Sequence, residues 1–314
     1  MRGRGQFDPD ALTGQLTPEL RPHALADPYR AFYGLEHAAG RAEHRLALKP
    51  VGEELIAVQT FVPDHAVGTA VVCHGYYDHI GLYGHLIDFL VGQGLAVLSF
   101  DQPGHGLSTG ERATIVSFDA YVETLRIVME ALTDLPGPYH LVGQSMGGAV
   151  SMEYLARGPE VTFEEVILFA PLLRPFQWPV SRWIYQAARL SRIKSRPRTI
   201  TDNAENAEFL ALMHADPLQA DVLPVQWVTA MVQWMQAFAH HAHTGIPVRM
   251  IQGDDDKTVD GPWGIQRVAQ MFHLDLLEVQ GGRHHLVNES EAKRELMWRW
   301  LAERCDWRSG DAAP

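Results

Sequence analysis

Six short apolar runs separated by helix-like stretches constrain this chain more than any other feature. They are TAVVCHG, LAVLSFD, YHLVG, EEVILFAPLL, PVRMIQG and LDLLEVQGG. Helical periodicity lies between or after them in GHLIDFLVGQG, FDAYVETLRIVMEALTDL, AVSMEYLARG and ESEAKRELMWRWLAER. A strand that is apolar throughout has no polar face to give to water, so both faces must be covered. Strands alternating with helices meet that demand as a mostly parallel central sheet with helices on both faces, an α/β fold. RLALKP and IAVQTFVP, ahead of the first run, predict a hairpin.

Length and charge narrow the function. The 314 residues are 46% hydrophobic and 20% charged, enough for one large domain carrying an insertion. Asp and Glu outnumber Lys and Arg 38 to 26, a net charge of −12, which argues against nucleic acid as a partner. The opening MRGRGQFDPD has no apolar run behind it, and no segment reaches the apolar length of a membrane span. The two cysteines, Cys73 and Cys305, offer neither a disulfide framework nor metal-ligand spacing, so a cytoplasmic location is expected.

From Leu172 to Thr244 the strand rhythm stops and Trp178, Trp183, Trp227, Met231, Trp234 and Met235 appear. The expected organisation is an N-terminal extension (1–44), a core in two pieces (45–171 and 245–305), and a helical cap (172–244) inserted between strands 6 and 7. Trp227, Met231, Met235 and Phe238 recur at helical spacing, which predicts a face packed on the body. A share of that face lining an apolar pocket is the sharper reading.

The turn after YHLVG carries the chemistry. Gly143-Gln144-Ser145-Met146-Gly147, with Gly148 behind, sits where a strand becomes a helix. Small flanking residues let the backbone pass closely while the serine takes a strained conformation with its hydroxyl exposed, the nucleophile elbow. The helix beyond directs its amides and positive dipole end to the same point. A serine needs a base, and the base needs an orienting acid, in the chain order Ser, acid, His. DDDKTVD offers Asp254, Asp255, Asp256 and Asp260, and the loop after LDLLEVQGG offers His284 and His285. Spacing leaves the choice within each cluster open.

From about Ile56 to Leu301 the chain resembles the α/β-hydrolases of the monoacylglycerol lipase and lysophospholipase group, classed with the serine aminopeptidase-like hydrolases. The likeness rests on the HGxxxH run His74 to His79, the DxxGHGxS run Asp101 to Ser108, the elbow, and Asp216-Pro217-Leu218 in the cap. It implies the α/β-hydrolase fold. It also implies Asp256 as the acid, three residues after Gly253, and His284 as the base, first in an H-x-L-x-x-E-like run ending at Glu289. Asp260 is then structural, and the oxyanion donors are the amides of Tyr76 and Met146.

The expected activity is ester hydrolysis through an acyl-enzyme, with no cofactor and no metal. His74, His79 and His85 lack an acid or cysteine to complete a metal set, His105 reads as a loop brace, and the GxGxxG spacing of a dinucleotide loop is absent. The resemblance and the tryptophan-rich cap point to a lipid-like ester with one long acyl chain, a monoacylglycerol or lysophospholipid. The basic run SRIKSRPRT suggests a phosphate headgroup or transient contact of the cap with a membrane surface, against the plainer reading of a solvated loop. A peptidase or amidase, or a receptor that binds without turnover, are the alternatives on the same fold.

Overall fold

The computed structural model describes residues 6–191 and 193–307. Met1–Gly5 of the expected extension, and Arg192 of the basic run, lie outside the described residues.

An eight-stranded sheet forms the body, in the order β1-β2-β4-β3-β5-β6-β7-β8. Its strands are β1 (Ala42–Val51), β2 (Glu54–Pro63), β3 (Thr69–Cys73), β4 (Ala96–Phe100), β5 (Tyr139–Gln144), β6 (Glu165–Phe169), β7 (Pro247–Gly253) and β8 (His273–Val279). The hairpin β1–β2 turns at Gly52 (φ 60°) and is antiparallel, as is the pairing of β2 with β4; the remaining pairs are parallel. β3, β4 and β6 are buried at every residue, as runs apolar on both faces require. β8 departs from that pattern: as an edge strand it leaves His273, Asp275 and Glu278 exposed.

Helices Gly84–Gly92, Phe118–Val128, Met146–Ala156, Gly261–Met271 and Glu291–Arg304 follow the strands. The long periodic stretch from Phe118 tightens into a 3₁₀ turn at Met129–Asp134 instead of running on as one α-helix. The chain before β1 is built into the body. Phe7, Tyr29, Phe32 and Tyr33 pack ring on ring, and the Tyr33 ring lies 4.8 Å from that of His79.

Between β6 and β7 lie helices Trp178–Leu190, Ala207–Ala215 and Val225–Phe238. A short ribbon interrupts them, Ser195–Pro197 pairing with Val222–Pro224, where the sequence predicts no strand. Three-residue strands, with Ser195, Arg196 and Pro197 all exposed, carry no alternation of apolar and polar residues to reveal them.

Candidate active site

Ser145 stands between β5 and the helix Met146–Ala156 with φ 52° and ψ −115°, a backbone conformation costly for any residue with a side chain. The neighbouring glycines make it attainable. A Cβ on Gly147 would lie 2.1 Å from the carbonyl oxygen of Cys73, and one on Gly143 would lie 2.6 Å from that of Gly147. Three layers of backbone therefore touch at the corner, leaving the serine side chain as the group turned out of it.

His284 and Asp256 arrive from the two loops beyond β8 and β7. Ser145 Oγ lies 2.9 Å from His284 Nε2, and His284 Nδ1 lies 2.8 Å from Asp256 Oδ2. An ionised carboxylate only accepts, so Nδ1 carries the proton and Nε2 is free to accept from the serine. Asp256 Oδ1 accepts from the amides of Thr258 (2.7 Å) and Val259 (3.0 Å), and Oδ2 also accepts from Gln252 Nε2 (3.1 Å). Burial pushes the Asp256 carboxyl up, but His284 and the two amides outweigh it and hold it below its usual range. Burial likewise opposes charge on His284, and Asp256 outweighs it, so the imidazole sits above its ordinary value.

The other candidates in these loops have separate partners. His285 Nε2 meets Asp78 Oδ2 at 3.1 Å, facing away from the serine toward the His74–His79 turn. Asp254 accepts from the Gly281 amide (2.6 Å), Asp255 pairs with Lys257 at the surface, and Asp260 caps the helix Gly261–Met271 while pairing with Arg174. Glu289, fully buried, accepts from the amides of Arg283 (2.8 Å), Glu205 and Ser290, which fixes the loop bearing His284.

The His74–His79 turn presses on the elbow: a Cβ on Gly75 would be 3.3 Å from Ser145 Cβ. The amides of Tyr76 and Met146 flank that contact, and neither has an acceptor among the described residues. The turn is held from below by a chain of bonds, in which Gly75 N donates to Tyr83 Oη and Tyr83 O–H donates to Asp78. From above, Trp227 of the cap stacks on Tyr76, with ring centres 3.5 Å apart, while Tyr76 O–H donates to the Ala113 carbonyl (2.7 Å). Asp78 is a contribution to the site that sequence reasoning missed, as is the stacking of Trp227 on Tyr76. Asp78 stood in the motif as a variable position, and the stripe holding Trp227 read as packing or as pocket lining, without the Tyr76 ring as its partner.

The remaining motif residues are braces. His74 donates to Gly75 O and accepts from Gln102 N, and burial keeps it neutral. His105 is pushed down to about 3 by burial and bonds to Pro103 O. His79 and Asp216, both fully buried in their side chains, meet at 2.9 Å and tie the cap to the body, with Tyr33 O–H donating to Asp216 at 2.6 Å.

Above the serine opens a cavity of about 700 Å³, lined by Ser145, His284 and Tyr76 below and by Trp178, Tyr185, Trp227, Val228 and Met231 of the cap. The helix Val225–Phe238 thus has two roles. Trp227 and Met231 face the cavity, whereas Trp234 stacks on Phe118 of the body and donates to Glu153 (3.0 Å). Among the described residues no cluster of His, Cys, Asp and Glu forms a metal site, and no helix is long and apolar enough to cross a membrane.

Comparison with known proteins identifies the family and the fold. Residues 64–291 match the family described as serine aminopeptidase, S33. The chain is similar to a monoacylglycerol lipase of Mycolicibacterium smegmatis, 29% identical over 82% of this chain and 94% of that one. It is also similar to the phospholipase YtpA of Bacillus subtilis, 26% identical over 74% and 93%. Among solved structures, the monoacylglycerol lipase of Paleococcus ferrophilus superposes with a TM-score of 0.67 at 25% identity, covering 79% of this chain and 98% of that one.

Proposed function

The chain belongs to the serine aminopeptidase S33 family and is an ester hydrolase on the α/β-hydrolase fold, and on that premise we propose that Ser145, His284 and Asp256 cleave single-chain lipid esters. The observation that carries this reading is the continuous Ser145–His284–Asp256 chain, 2.9 and 2.8 Å, at the base of a largely apolar cavity of about 700 Å³. A cavity of this size and lining suits one long acyl chain.

Ser145 attacks the acyl carbonyl as neutral His284 takes its proton, and Asp256 holds the imidazole tautomer and steadies the imidazolium. The oxyanion is received by the amides of Tyr76 and Met146, which have no other acceptor among the described residues. His284 then protonates the departing alcohol, and water repeats the sequence on the acyl-enzyme. The reaction uses no cofactor in this scheme. The named relatives, a monoacylglycerol lipase and a phospholipase, support glycerol-based lipid esters as the substrate class.

The cap also meets the lipid phase in this reading. On the helix Trp178–Leu190 only Tyr185 is buried, while Trp183 (77%), Leu190 (85%) and Val180 stay exposed. Apolar groups at helical spacing beside Arg182 and Arg189 suit transient adsorption to a membrane surface.

The deciding experiment is hydrolysis of p-nitrophenyl acyl esters, short to long, by the protein and by Ser145→Ala. A serine-dependent rate rising toward medium or long chains is expected. No serine-dependent turnover at any length would falsify the assignment.

A further inference from the structure

One wall of the cavity is polar, and among the described residues its positive charges form no ion pair with a carboxylate. The ribbon strand Ser195–Pro197 is extended, so Arg196 and Arg198, two positions apart, fall on one face, and both line the cavity that holds Ser145. Neither forms an ion pair with a carboxylate among the described residues. Arg198 is nevertheless held in place. Its guanidinium lies 3.9 Å above the Tyr77 ring, and its Nη1 bonds to Gln219 Oε1 and the Ala220 carbonyl. Gln219 in turn donates to Asp216, and Tyr77 O–H donates to the Val222 carbonyl.

These contacts engage Nη1 and leave the Nε and Nη2 donors of a five-donor group without an acceptor among the described residues. The carboxylates that act on Arg198 through space are Asp78 and Asp216, and each already holds a histidine, His285 or His79. A positive fork so fixed, in a protein of net charge −12, is a local exception in its field. Tyr77 directly follows Tyr76, so the fork stands on the residue beside the proposed oxyanion donor. On the same polar stretch, Asn203 lines the cavity with a buried Oδ1 that has no partner among the described residues.

We propose that Arg198, with Arg196 beside it, is a phosphate subsite that selects acyl esters whose alcohol carries a phosphate group. Asn203 Oδ1 accepts a hydroxyl of the same glycerol unit. This deepens the lipid-esterase reading and rests on it. The chemistry remains hydrolysis: the acyl C–O bond breaks, water supplies the acid's hydroxyl and the alcohol's proton, and the phosphate ester bond is untouched. Guanidinium suits the task because its planar donors match phosphate oxygens two at a time.

The test compares 1-acylglycerol with 1-acylglycerol 3-phosphate of the same chain, in neutral detergent micelles, using the protein, Arg198→Gln and Arg198→Lys. The protein is expected to favour the phosphate ester in kcat/KM. Arg198→Gln should lower the phosphate-to-neutral ratio by roughly tenfold to a hundredfold, the scale of hydrogen bonds to a charged group, mainly through KM, and Arg198→Lys should recover part of it. Equal proportional losses on both substrates would make Arg198 only a support for Tyr77 and overturn the subsite. Inhibition of both reactions by inorganic phosphate through Arg198, with no preference for the phosphate ester, would assign the site to the free ion and overturn the headgroup reading. Turnover of 1-acylglycerol alone would remove the subsite and leave the lipid esterase standing. If neither lipid reacts while p-nitrophenyl esters still do so through Ser145, the lipid reading fails and the subsite goes with it.

Discussion

Ser145 to Gly148 is buried at every position and its backbone is in contact with β3 and the turn after it, whereas the cap helix Trp178–Leu190 buries Tyr185 alone. Both regions line the same cavity. At the floor, strain at one residue is held by close-packed backbone that has nowhere to relax. At the roof, apolar side chains face water and lean mainly on a second helix, Val225–Phe238, which itself is anchored to the body. Chemistry needs atoms fixed to within a fraction of an ångström. Admission of a long acyl chain needs a wall that can yield, and elements with few buried contacts open most readily.

The largest expected effect tests the floor. Asp256→Asn should lower kcat by about 10⁴-fold, since the amide no longer enforces the tautomer in which Nε2 accepts the serine proton. The pH profile sharpens this. His284 must be neutral to act, and in the protein its pKa is above the ordinary value despite burial, so activity falls as pH drops through that raised value. In Asp256→Asn the raising charge is gone and burial remains, so the inflexion of the residual rate should move to lower pH. A rate profile unchanged by the substitution would break the assignment of the base.

Next in size is the joint between floor and roof. Asp216→Asn leaves His79 without its buried partner and should cost about 3 kcal/mol in unfolding free energy, read by denaturant titration. The sign with pH is determined by both partners. His79 is raised above 6.5, burial opposing and Asp216 prevailing, so its contribution is complete below that value and is lost as pH rises through the folded pKa. Burial raises the Asp216 carboxyl, but His79 prevails and holds it at about 2, below 3.8, so its contribution is present above 3.8 and is lost as pH falls through about 2. The gap between protein and variant should therefore be widest between those limits.

Smaller effects separate the two cap helices. Trp234→Phe removes the donor to Glu153 and should destabilise by roughly 2 kcal/mol. Trp183→Ser, at a residue 77% exposed, should change stability by less than about 0.5 kcal/mol while weakening co-sedimentation with phospholipid vesicles. A large stability loss from Trp183→Ser would mean that the exposed face is packing rather than docking surface, and the contrast between floor and roof would disappear.

The order of strands and helices, the glycine corner around Ser145 and the two partner loops are all written in short windows of sequence. Local backbone chemistry decides them: apolar runs that must be covered, and glycines where a Cβ would strike a carbonyl. The same windows held several acids and two adjacent histidines, and spacing could not choose among them; the resemblance to a hydrolase family supplied Asp256 and His284. Tertiary structure separates His284 from His285 because consecutive side chains leave the chain in different directions, one toward Ser145 and the other toward Asp78. It alone divides Trp227 and Met231 from Trp234 on one helix, pairs the cap ribbon, and sets Arg198 over Tyr77. Each of these depends on which surfaces meet across long sequence separations, and the identity of a residue states what it can bond to without stating what the fold will bring to it.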